Sequence, residues 1–142
     1  MPNSKTHDKI TLIASPLIVL GTTLITSNLK IIIIIYLSYL FASLMFNGDL
    51  DTNSKPFNRW HILKIIWIPY QLLFSHRSIF THGIIIGTIV RIIYLITIPF
   101  FILLYFKVNL FFSLNFELFL QIIIGLELGS LIHTLSDRFI KF

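Results

Sequence analysis

The sequence predicts an all-α integral membrane protein, with about four transmembrane helices forming two hairpins joined by an interfacial segment in a single membrane domain over residues 1–142. Three observations predict it. Hydrophobic residues make up 56% of the chain and charged residues 12%, leaving too little polar surface to cover a water-soluble globule of this size. Four stretches are apolar and long enough to cross a bilayer, against a need of about 17–25 residues per helix. The isoleucine run at 31–35 and its like lack the alternating polar positions of a membrane barrel. Helices then remain as the way to satisfy backbone polar groups in hydrocarbon.

Taken in order, the first span covers 10–27. Its apolar stretch is longer than a secretory h-region and no A-x-A-like cleavage site follows, so a retained helix is expected. Asn28 and Lys30 make a tight polar turn into the second span, 29–46. A polar stretch at 47–58 leads into an aromatic piece at 60–74 that holds Trp60, Trp67, Pro69 and Tyr70. This piece is too short to span, and aromatic residues favour the headgroup level. It is expected to lie at the interface or re-enter shallowly, with Pro69 ending or kinking it. The third and fourth spans, 84–106 and 116–135, are joined by a short turn at 107–115.

The cations orient the chain. Lys5, Lys9, Lys55, Arg59, Lys64, Arg77, Arg138 and Lys141 fall on one side of this topology and only Lys30 and Lys107 on the other. The positive-inside rule therefore places both termini in the cytoplasm. The net charge of +5 is spread among hydrophobic spans rather than gathered on a polar domain, which argues against nucleic acid as a partner and for membrane lipid. Arg91 and Glu127 lie inside the third and fourth spans at matching depth. An unpaired charge at mid-bilayer costs on the order of 2.5–3.5 kcal/mol, so these two are expected to pair; Glu117 lies nearer the opposite surface.

The same topology gathers the chemistry-bearing side chains. His7 and Asp8 precede the first span, Asp49 and Asp51 follow the second, His76 and His82 precede the third, and His133 and Asp137 end the fourth. Four of the five histidines and all four aspartates thus reach one membrane face. The chain has no cysteine, so imidazole and carboxylate are the metal ligands on offer, and both coordinate zinc, manganese or iron. His133 and Asp137 are i and i+4 on a helix and can point at one ion. His76 and His82, six apart, converge only if the chain turns between them, and Ser78, Thr81 and Gly83 permit that turn. Asp49-Leu50-Asp51 reads as a loop whose carboxylates share or bridge metal. His61, beside Trp60 and without a carboxylate neighbour, reads as an interfacial histidine.

The order of these motifs resembles that of the membrane-bound metal-dependent hydrolases, particularly an uncharacterised branch of metal-binding membrane proteins best known in cyanobacteria. In that branch an early His, an Asp-x-Asp after a hydrophobic helix, a His-Arg-x-x-x-[Thr/Ser]-His stretch and a late His-x-x-x-Asp recur. Here they stand at His7, at Asp49 and Asp51, at His76-Arg77 through Thr81-His82, and at His133 through Asp137. The resemblance spans nearly the whole chain. The broader hydrolase family has Pro before the first Asp and His after the second, whereas this chain has Gly48 and Thr52, one potential ligand fewer for a two-metal centre. The resemblance implies a bacterial inner-membrane or thylakoid protein.

Two functions follow as expectations. The first is a metal-dependent hydrolase at the cytoplasmic membrane face, acting on a lipid or other phosphoester. His7, His76, His82, His133 and Asp137 would hold a divalent metal, zinc first and manganese or iron next. Asp49 and Asp51 would bind a second ion or act as general base, and Arg77 would face an anionic group. The alternative is a non-catalytic structural or regulatory metal-binding membrane protein. Five histidines are too few for a desaturase di-iron shell, and H-E-x-x-H, G-x-S-x-G, P-loop and G-x-G-x-x-G motifs are all missing. Transport is the weaker reading, because Arg91, Glu117, Gln121 and Glu127 are the main polar groups within the spans.

Overall fold

The computed structural model describes residues 4–107 and 115–139. In chain order these form α1 (Ser4–Ile25), α2 (Leu29–Met45), a 3-10 turn (Gly48–Asp51), α3 (Lys55–Asn58), a 3-10 segment (His61–Trp67), α4 (Ile68–Leu73), α5 (Ile79–His82), α6 (Ile86–Tyr105) and α7 (Phe116–Phe139). No strand occurs among the described residues. Four helices are long and apolar enough to cross a membrane. Two of them outrun the apolar stretches that announce them: α1 begins at Ser4 and so carries His7 and Asp8, and α7 continues to Phe139 and carries Asp137. Ligand-bearing ends are therefore helical rather than loose. The expected connection at 107–115 falls largely outside the described residues, as does Lys141.

The tightest packing is between α2 and α7, and its cause is Gly125-x-x-x-Gly129 on α7. A Cβ at Gly125 would stand 2.4 Å from the Ile35 carbonyl oxygen, and one at Gly129 would stand 2.5 Å from that of Tyr39. The two backbones are thus as close as hydrogen atoms in place of side chains permit, the geometry that small-x-x-x-small pairs give apolar helices. Ser43 Oγ donates to the Gly129 carbonyl at 3.3 Å across the same seam. On the other flank of α2, the Tyr39 hydroxyl, fully buried, donates to the Thr11 carbonyl of α1 at 2.8 Å. The core of the fold is accordingly an α1, α2 and α7 bundle. The expected second hairpin does not close as a packed pair. The small residues Gly125 and Gly129 turn α7 toward α2, and α6 packs mainly on the joining segment.

That segment is an amphipathic shelf. Trp67 and Tyr70 point inward against Phe46, Leu50 and Phe57, with Trp60, Phe74 and Tyr94 packed around them. Trp67 stacks on Tyr94 with ring centroids 5.7 Å apart and meets Tyr70 edge-on at 5.4 Å. Trp67 is thus a core residue, not a headgroup anchor. Pro69 sits in the first turn of α4, where its missing N–H is no loss, so it starts a helix instead of ending one. The opposite side of the shelf, with Ile62, Leu63, Ile65, Leu72 and Leu73, is exposed.

The expected Arg91 and Glu127 ion pair does not form. Arg91 finds neutral acceptors, donating to the Thr81 carbonyl at 2.7 Å and to Ser130 Oγ at 2.7 Å. Glu127 accepts instead from the Ile85 backbone N–H at 2.8 Å. Matching depth placed both near the start of α6, but each is better served by a directed hydrogen bond there.

The α2–α7 seam yields a test with an internal control. Gly129→Ala is expected to destabilise the folded protein by about 1–3 kcal/mol through overpacking. Gly21→Ala, whose Cβ would meet nothing within 4 Å, should be neutral or stabilising by up to about 1 kcal/mol from helix propensity. Thermal unfolding of both variants in one detergent reads the difference, and equal behaviour would remove the close-approach argument.

Candidate metal centre

The site begins where α2 ends. Asn47, fully buried, donates from Nδ2 to the Ser43 carbonyl at 2.7 Å and accepts from the Asp49 N–H at 3.2 Å, folding the chain sharply out of α2 into the Gly48–Asp51 turn. Leu50, also fully buried, anchors the middle of that turn in the aromatic core. Gln71 of α4 donates to the carbonyls of Leu50 and Thr52, both at 3.0 Å, and holds the turn from outside. Asp49 and Asp51 therefore project in fixed but different directions.

His82 reaches the site from the last residue of α5. The turn that brings it near His76 occurs earlier than expected, at Arg77, whose φ of 59° is left-handed. Gly83 follows as the end of α5. The imidazole lies flat against Gly48, where a Cβ would be 2.8 Å from the ring, so only glycine admits it. Its Nδ1 is 3.1 Å from Thr81 Oγ1 and 3.5 Å from Asp51 Oδ2, which leaves Nε2 facing the centre. Asp51, with its side chain wholly buried, also meets His76 Nδ1 at 2.8 Å and accepts the Arg77 N–H at 3.1 Å. It thus holds His82 from behind, an arrangement that fixes which imidazole nitrogen is offered to a metal.

From α7 come His133 and Asp137, one turn apart, with Nε2 and Oδ2 separated by 3.5 Å. His7 of α1 stacks on His133 at 4.4 Å between ring centroids; its Nδ1 is 2.7 Å from Ser136 Oγ and its Nε2 is 3.1 Å from Asp137 Oδ1. Asp8, its neighbour, turns away to bind Lys55 and, at 2.8 Å, Arg59 Nη2. Asp8 therefore ties the start of α1 to α3 and takes no part in the centre.

Asp49, His82, His133 and Asp137 converge, with one ligand atom from each lying within 4.8 Å of all the others. The separations are informative. His82 Nε2 is 3.5 Å from Asp49 Oδ1 and 3.9 Å from Asp137 Oδ2, and His133 Nε2 is 3.4 Å from Asp49 Oδ2. These are long for hydrogen bonds between charged groups. At 3.4–3.5 Å, the two histidine Nε2 atoms to Asp49, each through a different oxygen, and His133 Nε2 to Asp137 Oδ2 fall within the roughly 3.3–3.6 Å edge of a tetrahedron about an ion with ligand bonds of about 2.0–2.2 Å, while His82 to Asp137 at 3.9 Å is wider. Consistently, His82 Nε2, both His133 nitrogens and Asp137 Oδ2 are buried without a hydrogen-bond partner. Orphaned, convergent nitrogen and oxygen donors are what a divalent cation fits. Of the seven residues expected as ligands, Asp51, His76 and His7 stand around this quartet rather than in it. The Arg77 side chain is exposed and His61 lies outside the cluster. Nothing in the sequence assigns a role to Asn47, Gln71 or Ser136, and Gly48 stands out there as replacing the Pro of the resembled family. The one legible signal was Asn-Gly after a long apolar run, a turn signature.

In class, then, this is an all-helical protein with four helices capable of crossing a membrane and a carboxylate–histidine cluster at one end of the bundle. The chain belongs to the family described as uncharacterized metal-binding protein (DUF2227), which it matches over residues 2–141. An uncharacterized protein of Aquifex aeolicus (strain VF5) is 39% identical over 57 residues, a stretch that is 39% of this chain and 40% of that protein. The chain therefore spans well under half of that relative's length. No solved structure matches.

The environment of His82 gives the centre a pH signature. Burial disfavours its imidazolium, but Asp49 and Asp51 beside it outweigh burial and raise its pKa to about 9. At neutral pH a metal must displace this proton. Apparent affinity for zinc or cobalt is expected to rise about tenfold per pH unit from pH 6.5 to 8.5, with proton release on binding. Calorimetric titration in buffers of different ionisation enthalpy measures both; a pH-independent affinity would contradict the assigned ligand.

Proposed function

We propose that this protein is a membrane protein that binds a divalent metal through Asp49, His82, His133 and Asp137 and uses it for hydrolysis at the cytoplasmic membrane face. The observation that carries the reading is the convergence of buried, unpartnered donors at ligand-to-ligand spacing. A divalent ion there, with a coordination position beyond these four ligands open to water, would supply Lewis acidity and activate that water near neutral pH. His133 forms the dry side, with its side chain 2% exposed, whereas His82, Asp137 and Asp49 are 11%, 15% and 19% exposed. Water and substrate would approach past the carboxylates. Asp51 positions His82, and His7 lies at the edge as a candidate further ligand. Asp49 turns one oxygen to each histidine. Zinc suits the nitrogen–oxygen donor set, and manganese or iron suits the same donors.

The substrate class follows from the surroundings. Arg77 and Arg138 are exposed, one leading into α5 and the other adjoining Asp137, and both fit an anionic group. The exposed aliphatic side of 60–74, continued by Ile79 and Phe80, fits a lipid interface. A phosphoester of a membrane lipid satisfies both. A second reading has an observation of its own. The four candidate ligands come from three separate elements, the Gly48–Asp51 turn, α5 and α7, so a tetrahedral ion would also cross-link them without chemistry.

The decisive measurement is metal content of purified protein. Wild type is expected to hold zinc, manganese or iron; His82→Ala and Asp137→Ala should lose it, and His61→Ala should keep it. Protein that stays metal-free after incubation with all three ions would end the metal reading. Turnover of a phosphoester by the loaded protein, impaired in Arg77→Lys with metal retained, supports hydrolysis because Lys lacks the planar fork. Bound metal that raises the unfolding temperature without any turnover supports the cross-link.

Orientation is tested separately. Reporter fusions after Phe142 and within residues 53–58 should report cytoplasm, and fusions near Asn28 and Asn109 the opposite side. An external signal at 53–58 would remove the common face on which the lipid substrate depends.

A further inference from the structure

We propose that Arg91 is a positioning residue of the metal centre, tying the short helix that bears His82 to the helix that bears His133 and Asp137. The proposal rests on the metal-binding reading above and on an independent set of contacts.

Arg91 is completely buried, with no exposed surface at all, and no carboxylate lies within ion-pair distance among the described residues. Its guanidinium spends its donors on three elements. Nη1 donates to the Thr81 carbonyl, immediately before His82, at 2.7 Å. Nη2 donates to Ser130 Oγ on α7, one turn before His133, at 2.7 Å, and to Thr88 Oγ1 of its own helix at 3.2 Å. The plane sits 5.5 Å from the Phe46 ring centroid at the end of α2. One rigid fork thus sets the spacing between α5 and α7, a task that a single ammonium or an apolar side chain cannot perform.

Two neighbours show that the region is arranged for this contact. Gly87 faces it, and a Cβ there would be 2.7 Å from the Thr81 carbonyl oxygen and 3.3 Å from Arg91 Nη1. Ile85 holds φ 66° and ψ −57°, a strained conformation for a β-branched residue. Such strain persists where surroundings over-determine it, and Glu127 of α7 accepts the Ile85 N–H at 2.8 Å. The junction between α5 and α6 is therefore fastened to α7 on both sides of His82 in sequence, by Arg91 through Thr81 and by Glu127 through Ile85. Since α6 otherwise packs little on α7, these polar contacts carry the registration.

A buried cation without an acidic partner is expensive in a mostly apolar core, and an aliphatic residue of similar volume would pack beside Phe46 without that penalty. What the arginine adds is direction. Ligand atoms must be held within about 0.5 Å of productive geometry for tight binding, and His82 and His133 have no common element to enforce it.

The test uses full-length protein in detergent with cobalt(II) as probe. Arg91→Met is expected to lower cobalt affinity about tenfold or more and to alter the d–d absorption bands, which report ligand geometry rather than folding. Arg91→Lys should recover part of the affinity. The chain lacks cysteine, so spin labels at Phe80→Cys and Arg138→Cys, both exposed positions, measure the α5–α7 distance without metal; Arg91→Met should broaden it. Should Arg91→Met fail to fold, Ser130→Ala removes one arm alone and is expected to shift the same readouts in the same direction. Wild-type cobalt affinity and bands in folded Arg91→Met, or in Ser130→Ala where that is the folded variant, overturn the proposal, whatever the distances. An unchanged distance distribution overturns it as well. Wild-type protein that binds no cobalt overturns the metal centre, and Arg91's role in it, while the label distances still report whether the tie exists.

Discussion

Contact between two backbones governs this structure. Where α7 crosses α2, Gly125 and Gly129 let the helices approach until an added Cβ would lie 2.4–2.5 Å from a carbonyl oxygen. The consequence reaches beyond packing. Asp49 leaves the end of α2 four residues after its last helical residue, and His133 lies one turn beyond Gly129 on α7. Closing the seam therefore delivers a carboxylate from one helix end to an imidazole on the other, at 3.4 Å. Close packing and directed hydrogen bonds distinguish this pairing from the other contacts that such uniformly apolar helices could make.

Around that seam the polar groups divide into two kinds. Several hold the turn and the helix end through hydrogen bonds: Asn47 within the turn, Gln71 over it, Arg59 on the Leu44 carbonyl at 2.8 Å and Trp60 on that of Met45 at 2.8 Å, both finishing the end of α2. Others face the centre, where His82 Nε2, His133 Nε2 and Asp137 Oδ2 meet with no hydrogen bond among them. Trp67 Nε1, Tyr70 Oη and Arg91 Nε are also buried without a partner, but the three centre atoms are set apart by converging with Asp49 on one point. Family membership supplies the class of their partner, a metal.

The ligands also explain the awkward middle of the chain. Residues 47–85 contain two 3-10 segments, three helices of four to six residues and three left-handed non-glycine residues, His61, Arg77 and Ile85. No regular helix could bring Asp49 and Asp51 to opposite sides of the His82 ring. The short elements do so because Leu50, Trp67 and Tyr70 root them in a common aromatic core. Irregular backbone here is held by packing and not by propensity.

The sequence by itself determined the helical class, the four long apolar helices and the end of the molecule at which histidine and aspartate gather, because hydropathy and charge placement are local properties. It also contained the i, i+4 relation of His133 and Asp137, which helix geometry fixes. Tertiary structure decided the rest. That Asp51 stands behind His82 while Asp49 faces the centre depends on a buried Leu50 between them. That α7 chooses α2 over its chain neighbour depends on two glycines, and that Arg91 serves Thr81 and Ser130 instead of Glu127 depends on where α5 comes to rest. Each is a choice among partners brought together from distant parts of the chain, and its energy exists only once the helices have met.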